Sequence, residues 1–518
     1  MVIDEQREVL DALARPATYG LAGSAVERID THSASVFLAG DRAYKLKRAV
    51  RYDYLDFSTV ERRKQCCEAE LALNARTAPS IYHRVVPLTR EAGGTLVVDG
   101  HGAPVEWLLE MRRFDGEALG DRLAERHALG LPTMQALGHA VAMMHVTAAI
   151  SHRRGGAAAM RWVIDGNADA FASFGDSLLP EARHRAVTAR TRALFERLAT
   201  RLDQRASRGL VRQCHGDLHL RNIVLLDGRP TPFDAVEFND AISHIDVWYD
   251  VAFLLMDLWR RGLRRHANVV LNEYARATGD LDGLAVLPLF LACRAAVRAK
   301  TSATAATLAA GDDARAALTA AARTYLTLAE SLLEPRPACL IAIGGFSGSG
   351  KSTQAAMLAP ALGPVPGAIH LRSDVIRKDL FGVPAHDPLP AAAYAPDVGV
   401  RVYARLAERA ASALATGHAV VCDAVYADAP ARAAIADVAT RAGMPFAAVW
   451  LAAPDATLLS RVAARRHDAS DADADVVRQQ VARVQAPADW VHLDATADAE
   501  ATQSRMRAAL AGRAIPVG

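Results

Sequence analysis

Apolar and polar positions alternate along ASVFLAGDRAYKLKRAV (34–50) and are broken by a Gly-Asp pair, which predicts two strands joined by a tight turn. The spacing turns helical in STVERRKQCCEAELALNAR (58–76), where Ser58 or Thr59 can cap the first turn. Strand-like runs return at RVVPLTR (84–90), GTLVVDG (94–100) and VEWLLEMRRF (105–114). From about 117 the pattern is helical, interrupted by QCHGDLHLRNIVLLDGRPTPFDAVEF (213–238), which reads as loop, short strand, turn, short strand. A short helical arm is expected before a strand-rich lobe over about 20–115, and a helical lobe over about 116–335 follows.

An alanine-rich helical stretch over about 284–333 ends at Leu333, and Pro335 and Pro337 precede a new apolar run. Proline biases the residue before it away from helix and removes a backbone donor, so a boundary is expected near 335. Beyond it, short apolar runs at CLIAIGG, AIHLRSD, AVVCDAV, FAAVWLAA and VHLDA alternate with helical sequence. Parallel strands need helical crossovers, so 336–518 is expected to be a doubly wound α/β domain with a parallel sheet. The acidic, small-residue stretch DASDADADV (468–476) reads as a mobile loop.

Composition narrows the class. The 518 residues are 51% hydrophobic and 23% charged, the profile of a globular protein. With 60 basic and 58 acidic residues there is no strong field to steer the chain to nucleic acid or a membrane surface. No apolar stretch reaches membrane-spanning length, and the acidic start MVIDEQREVLDAL does not resemble a secretory signal. The six cysteines form no CxxC pair and read as buried thiols; a cytoplasmic setting is expected. Lysine is scarce, with only Lys45, Lys47, Lys64, Lys300, Lys351 and Lys378, so each invites a question about its task.

Gly345-Phe-Ser347-Gly348-Ser349-Gly350-Lys351-Ser352 fits GxxxxGK[ST] between an expected strand and an expected helix, with Thr353 next. In such a loop the backbone N–H groups curl round phosphates at a helix N-terminus. Lys351 would reach the β- and γ-phosphates, and Ser352 would hold Mg²⁺. Asp374 follows the second strand of this half, where it can orient or deprotonate an acceptor hydroxyl; the alternative is a helix cap. Arg377 and Lys378 could neutralise an anionic substrate. Asp423 ends the third strand as a candidate to hold magnesium through water, or as a plain turn carboxylate. Arg461 and Arg465 lie four apart, are expected on one helical face, and could close over the phosphates; a solvated arginine face is the alternative. GFSGSGKS, RSDVIRK, VVCDA and an arginine-bearing lid with SDA at 470–472 together resemble P-loop kinases of the gluconate-kinase and zeta-toxin-like kind. That resemblance implies transfer of the ATP γ-phosphate to a small hydroxyl compound, although no acceptor-specific motif accompanies it.

His215-Gly-Asp217-Leu-His-Leu-Arg-Asn222 fits HxDxxxxN, and Asp234 follows in PFD. Phosphoryl transfer needs a base aimed at the acceptor and oxygens for Mg²⁺; Asp217 suits the first role, Asn222 and Asp234 the second. These residues resemble the aminoglycoside phosphotransferase and choline kinase branch of the protein-kinase fold. The resemblance implies an α+β bilobal domain over 1–335, with a nucleotide lysine on a small-lobe strand. Lys45 stands in the A-x-K pattern and Lys47 on the same strand face is the alternative. The ion-pair partner implied is Glu70, with Glu68 second, and Asp250 would brace the catalytic loop. THSASVF (31–37) takes the place of a glycine-rich loop, which leaves GTP open beside ATP at this site.

The order of the halves resembles bacterial fusions described as aminoglycoside phosphotransferase/ATP-binding proteins. An acidic pocket, which a polycationic antibiotic would need, is not evident, since WRRGLRRH (259–266) and CRAAVRAK (293–300) are basic. If those runs line the pocket, an anionic or neutral sugar-like acceptor fits better; the alternative is a solvated surface. The leading expectation is a bifunctional ATP-dependent kinase of small hydroxyl-bearing metabolites. Next comes one active site with the other half a nucleotide-sensing module. Last comes an RNA-end kinase, because few aromatics and an acidic lid disfavour nucleic acid.

Overall fold

The computed structural model describes residues 6–23, 25–31, 33–52, 55–465, 468–513 and 515. It divides into two compact units, one made of residues up to Ala170 with Arg192–Asp257, the other of Phe171–Thr191 with the chain from Leu258 onward.

In the first unit six antiparallel strands lie in the order Glu27–Asp30, Ala34–Ala39, Arg42–Lys47, Ala103–Arg112, Tyr82–Arg90, Leu96–Val98. The expected hairpin is present: Ala39 pairs with Arg42, and Gly40 takes φ +61° in the turn. Alternation splits this strand pair between two cores. Phe37, Leu46, Val86 and Leu108 pack with Val9 and Leu13 of the N-terminal helix Arg7–Leu13. Ala43, Leu109 and Met111 face the other way, with Cys67 of the helix Val60–Asn74. Lys45 and Lys47 share the parity of Ala43 and are therefore aimed toward that helix. Thr59 caps the helix, its Oγ1 accepting from Arg62 N–H at 3.3 Å, while Ser58 bonds Asp56. A hairpin of Ile223–Leu226 and Arg229–Pro232 follows the loop at 214–222.

The second unit holds the expected parallel sheet, ordered Ile369–Arg372, Val420–Asp423, Leu340–Gly345, Phe446–Ala452, Val491–Asp494. Every residue of Leu340–Gly345 is buried, as a central strand covered on both faces requires. Ile341, Ile343, Val421, Val449 and Leu451 form a core with Leu358 of a crossover helix and with Met506 and Leu510 of the last helix, Ala499–Ala511. The sheet thus belongs to an α/β doubly wound unit that follows an α+β one.

Residue 335 falls inside the second unit, because the helices from Leu258 to Leu332 pack with the parallel-sheet unit. Leu287–Leu308 and Asp312–Leu332 form an antiparallel pair there. The basic runs find packing partners within it: Arg260 and Arg298 both stack on Tyr325, 5.1 and 5.5 Å from its centroid. In DASDADADV the carboxylates of Asp468, Asp471 and Asp473 have partners. Asp473 caps the helix Ala474–Arg483 by accepting from Val476 N–H at 2.9 Å, and Asp468 and Asp471 hold ion pairs. Among the described residues no helix is long and apolar enough to cross a membrane.

Candidate active sites

In the first unit the strand Arg42–Lys47 delivers two ammonium groups to one carboxylate. Lys45 Nζ lies 2.7 Å from Glu70 Oε1 and 2.5 Å from Asp234 Oδ1. Lys47 Nζ donates to Glu70 Oε2 and to Glu237 Oε1. Glu70 is fully buried, whereas Glu68 sits at the surface near Lys64. Burial alone would discharge Lys45, but Asp234, Glu70 and Glu237 raise its affinity for the proton well above the usual lysine value. Desolvation works against the Asp234 carboxylate too, yet Lys45 holds it below the ordinary range. Burial wins at Glu237, whose carboxyl is pushed up despite Lys47. Glu237 was not anticipated; a carboxylate three residues beyond Asp234 was its only signal.

The residues of the 214–222 loop lie near the same group, joined to the Asp234 segment through His215. Asn222 Nδ2 donates to Asp217 O at 3.0 Å and to Asp217 Oδ2 at 3.1 Å. His219 Nε2 stands 3.3 Å from Asp217 Oδ2. Asp250, on the helix Val247–Arg260, accepts from the N–H groups of His215 and Gly216 at 3.0 and 2.9 Å, and its Oδ2 is 3.0 Å from His145 Nε2. The loop is therefore braced from beneath. Its link to the Asp234 segment runs through the preceding residue, His215 Nε2 lying 2.8 Å from Phe233 O. Asp234 adopts φ +61°, held there by its N–H to Tyr82 Oη at 2.9 Å and by Ala235 N–H to Asn74 Oδ1 at 2.8 Å. Asp217 and Asp234 keep 42% and 43% of their side chains exposed, so both can meet a ligand. The Asn222 amide oxygen and the Asp234 carboxylate are oxygen donors of the kind that suits Mg²⁺. In THSASVF, the Thr31 and Ser35 hydroxyls close the strand turn by bonding Ala34 and Asp30; His32 lies outside the described residues.

Losing Glu70 would take from each of two ammoniums one of its two carboxylate contacts, leaving Lys45 to Asp234 and Lys47 to Glu237. Glu70→Ala is expected to cost about 3–5 kcal/mol of stability, measured by denaturant unfolding of the full chain. Glu70→Gln, which keeps the shape and one of the two acceptor oxygens, should cost less.

In the second unit the loop 345–350 turns at three glycines with φ of +139°, +86° and +88° at Gly345, Gly348 and Gly350. A Cβ at Gly348 would lie 2.5 Å from Leu458 O, so the loop can pass only without a side chain. The helix Lys351–Leu358 opens directly after it. Lys351 Nζ donates to Phe346 O at 3.0 Å, and Ser347 N–H donates to Gln480 Oε1 at 2.8 Å. Ser349 Oγ is buried beside Gly345 with no hydrogen-bond partner. Ser352 Oγ donates to Asp423 Oδ1 at 3.2 Å. These residues fit a magnesium nucleotide: amides and Lys351 for phosphate, Ser352 and Asp423 for the cation.

A cavity of about 690 Å³ opens from this loop and is also lined by Asp374, Arg377, Tyr394, Arg461, Arg465 and Thr353. Asp374 lies within the helix Ser373–Leu380; the N-cap is Arg372, with no side-chain cap bond, so Asp374 is not the cap. Burial and then the Asp423 charge raise the Asp374 carboxyl above the ordinary range, against Lys351 and Arg372. Asp423 goes the other way: burial pushes it up, but His370, Arg372 and Lys351 bring it below. Burial lowers Lys351, which Asp423 and Asp374 only partly offset. The two arginines do not share one helical face, because the helix Asp455–Ala463 ends between them; Arg465 lines the cavity from beyond its C-cap. Lys378 is not free for a substrate, being buried and paired with Asp471 at 2.8 Å. Asp471 also accepts from Tyr394 Oη at 2.5 Å and Leu389 N–H at 3.1 Å, fastening the lid to the segment before it.

A family described as an AAA domain matches residues 340–487. Solved structures similar to the chain include a choline/ethanolamine kinase family protein from Mesorhizobium loti, 14% identical over 63% of this chain and 95% of that one, TM-score 0.39. Another is a gluconokinase from Sinorhizobium meliloti, 21% identical over 35% of this chain and 99% of that one, TM-score 0.24. Two curated relatives, "Uncharacterized protein Rv2004c" of Mycobacterium tuberculosis and "Uncharacterized protein Mb2027c" of Mycobacterium bovis, are each 31% identical over 484 residues, 89% of this chain and 90% of theirs. A match of that extent means that the chain belongs to the same family as these mycobacterial proteins, with an AAA domain as its C-terminal part.

Proposed function

We propose that the chain is a bifunctional ATP-dependent phosphotransferase, with two separate magnesium-assisted sites that phosphorylate hydroxyl groups of small, sugar-like metabolites. One observation carries the reading: in each unit a lysine, a set of metal-type oxygens and an accessible or cavity-lining aspartate are gathered in one place. At the first site Lys45 grips the nucleotide phosphates, Asn222 and Asp234 take the metal, and Asp217 receives the proton of the acceptor hydroxyl. At the second, the loop amides and Lys351 hold the phosphates and Asp374 receives the proton. Arg461 and Arg465 stabilise the charge that builds as the γ-phosphate passes over. Bound Mg²⁺ neutralises phosphate charge in both. The acceptor oxygen forms the new P–O bond as the bond to ADP breaks. Arg377 beside Asp374 in the cavity favours a neutral or anionic acceptor there, and ATP is the expected donor, with GTP as a possible donor at the first site.

The test is incubation of the full chain with ATP, Mg²⁺ and a panel of polyols, sugars and sugar acids, followed by mass spectrometry for a gain of one phosphate. Asp217→Ala is expected to remove one set of products, Lys351→Ala another, and the double variant all of them. If Lys351→Ala removed every product while Asp217→Ala removed none, a single kinase with a nucleotide-sensing partner module would replace this reading.

A further inference from the structure

The parallel sheet has an edge at Ile369–Arg372, and exposed strand edges need cover. Here the helix Arg264–Thr278 supplies it, through asparagine side chains that stand in for a neighbouring strand. Asn272 Oδ1 accepts the outward N–H of His370 at 2.7 Å. Asn268 Nδ2 donates to Ala368 O at 3.0 Å and to Pro366 O at 3.2 Å, and Asn272 Nδ2 reaches Ala368 O at 3.3 Å. The approach is close: a Cβ on Gly367 would fall 2.9 Å from Asn268 Nδ2. Further along, Arg276 bonds Asp379 at 3.0 Å.

What the edge strand carries matters more than the edge itself. His370 points its ring at the next strand, with Nε2 2.6 Å from Asp423 Oδ2. The other oxygen of that carboxylate takes the Ser352 hydroxyl at 3.2 Å. An unbroken chain of bonds therefore runs from Asn272 through His370 and Asp423 to Ser352. Two cations compete for the same carboxylate: Arg372 Nε is 3.8 Å from Asp423 Oδ2, and Lys351 acts on it by charge. Without the imidazole, the carboxylate is free to turn toward either of them and away from Ser352.

We propose that His370 is a positioning residue for Asp423, locked in register by Asn272, so that the metal side of the P-loop site is set by a helix from well upstream of that loop. The inference rests on the reading of this loop as a magnesium-nucleotide site. It assigns a task to a helix that lies outside the matched AAA domain, and to a histidine that no sequence motif singles out.

The experiment uses the full chain with Asp234→Asn to silence the first site, and follows binding of a fluorescent ATP analogue as Mg²⁺ is titrated, with a parallel arm in EDTA. His370→Ala is expected to raise the half-saturating Mg²⁺ about tenfold or more, while nucleotide affinity in EDTA changes less than about twofold. His370→Gln, whose amide N–H can reach the same oxygen, should recover most of the loss, and Asn272→Ala should shift the Mg²⁺ requirement in the same direction. If His370→Ala does not fold, His370→Asn, which falls short of Asp423, takes its place. Equal behaviour of the alanine (or asparagine) and glutamine variants, or an equal loss in EDTA, would overturn the assignment. Lys351→Ala separates the levels: if it leaves nucleotide binding in this background untouched, the underlying site reading fails, and the role of His370 falls with it.

Discussion

Asp217→Asn is expected to lower kcat at the first site by about 10²–10⁴, the range for removing a general base, while KM for ATP moves less than about twofold. The split follows from position. Asp217 is not among the groups that hold Lys45; those are Glu70 and Asp234. It lies in the loop braced by Asp250, where its contacts include Asn222 and His219. An asparagine has the same outline and can still accept from Asn222 Nδ2, so the loop should keep its path. What disappears is a carboxylate able to take the acceptor proton. Steady-state kinetics with an acceptor found in the panel would measure it. An equal rise in KM for ATP would mean that Asp217 serves the nucleotide instead. Asp234→Asn is the natural contrast, since Asp234 touches Lys45 and its loss should appear in the metal and nucleotide requirement.

Much of this arrangement was legible in the residues, and the reasons are physical. Parallel strands covered on both faces must be apolar throughout, so CLIAIGG and FAAVWLAA stand out and lie in the sheet where expected. A phosphate loop needs glycines where a Cβ would strike backbone, which makes GFSGSGK conspicuous. Two-residue alternation put Lys45 and Lys47 on one face, but it could not choose between them. The structure shows why: both ammoniums share Glu70, and only Lys45 also reaches Asp234. Other contacts left no periodic trace. Asn272 meets His370 across 98 positions, and Gln480 meets Ser347 across 133. The acidic lid misled by composition: Asp468 and Asp471 look solvated in sequence, yet each answers a cation, Arg372 and Lys378. The prolines near 335 mark the change from helix to strand, and the helices before them fall in one compact unit with the sheet that follows.

Asp374→Asn should divide activity from stability at the second site. In the proposed role of proton acceptor Asp374 must be ionised, and its environment raises the carboxyl above the ordinary range of about 4. Turnover at this site should therefore decline on the acid side at a higher pH than an exposed aspartate would dictate. The asparagine variant should lose about 10²–10⁴ in kcat together with that acid limb. Stability moves the other way. A carboxyl whose folded pKa exceeds its unfolded value contributes stability below the unfolded value, and the contribution is lost as pH rises through the folded one. At neutral pH the native protein thus bears the cost of an ionised, half-buried Asp374 beside Asp423, and asparagine removes it. Asp423, whose carboxyl is depressed, has the opposite sign: its contribution is present above its unfolded value and lost as pH falls through the folded one. Thermal unfolding of Asp374→Asn at pH 7 should show a higher midpoint than the parent, and the gain should shrink toward pH 4. A structural carboxylate would lose stability and activity together. A gain in stability alongside a collapse in turnover is the pattern of a residue kept for chemistry at the expense of the fold.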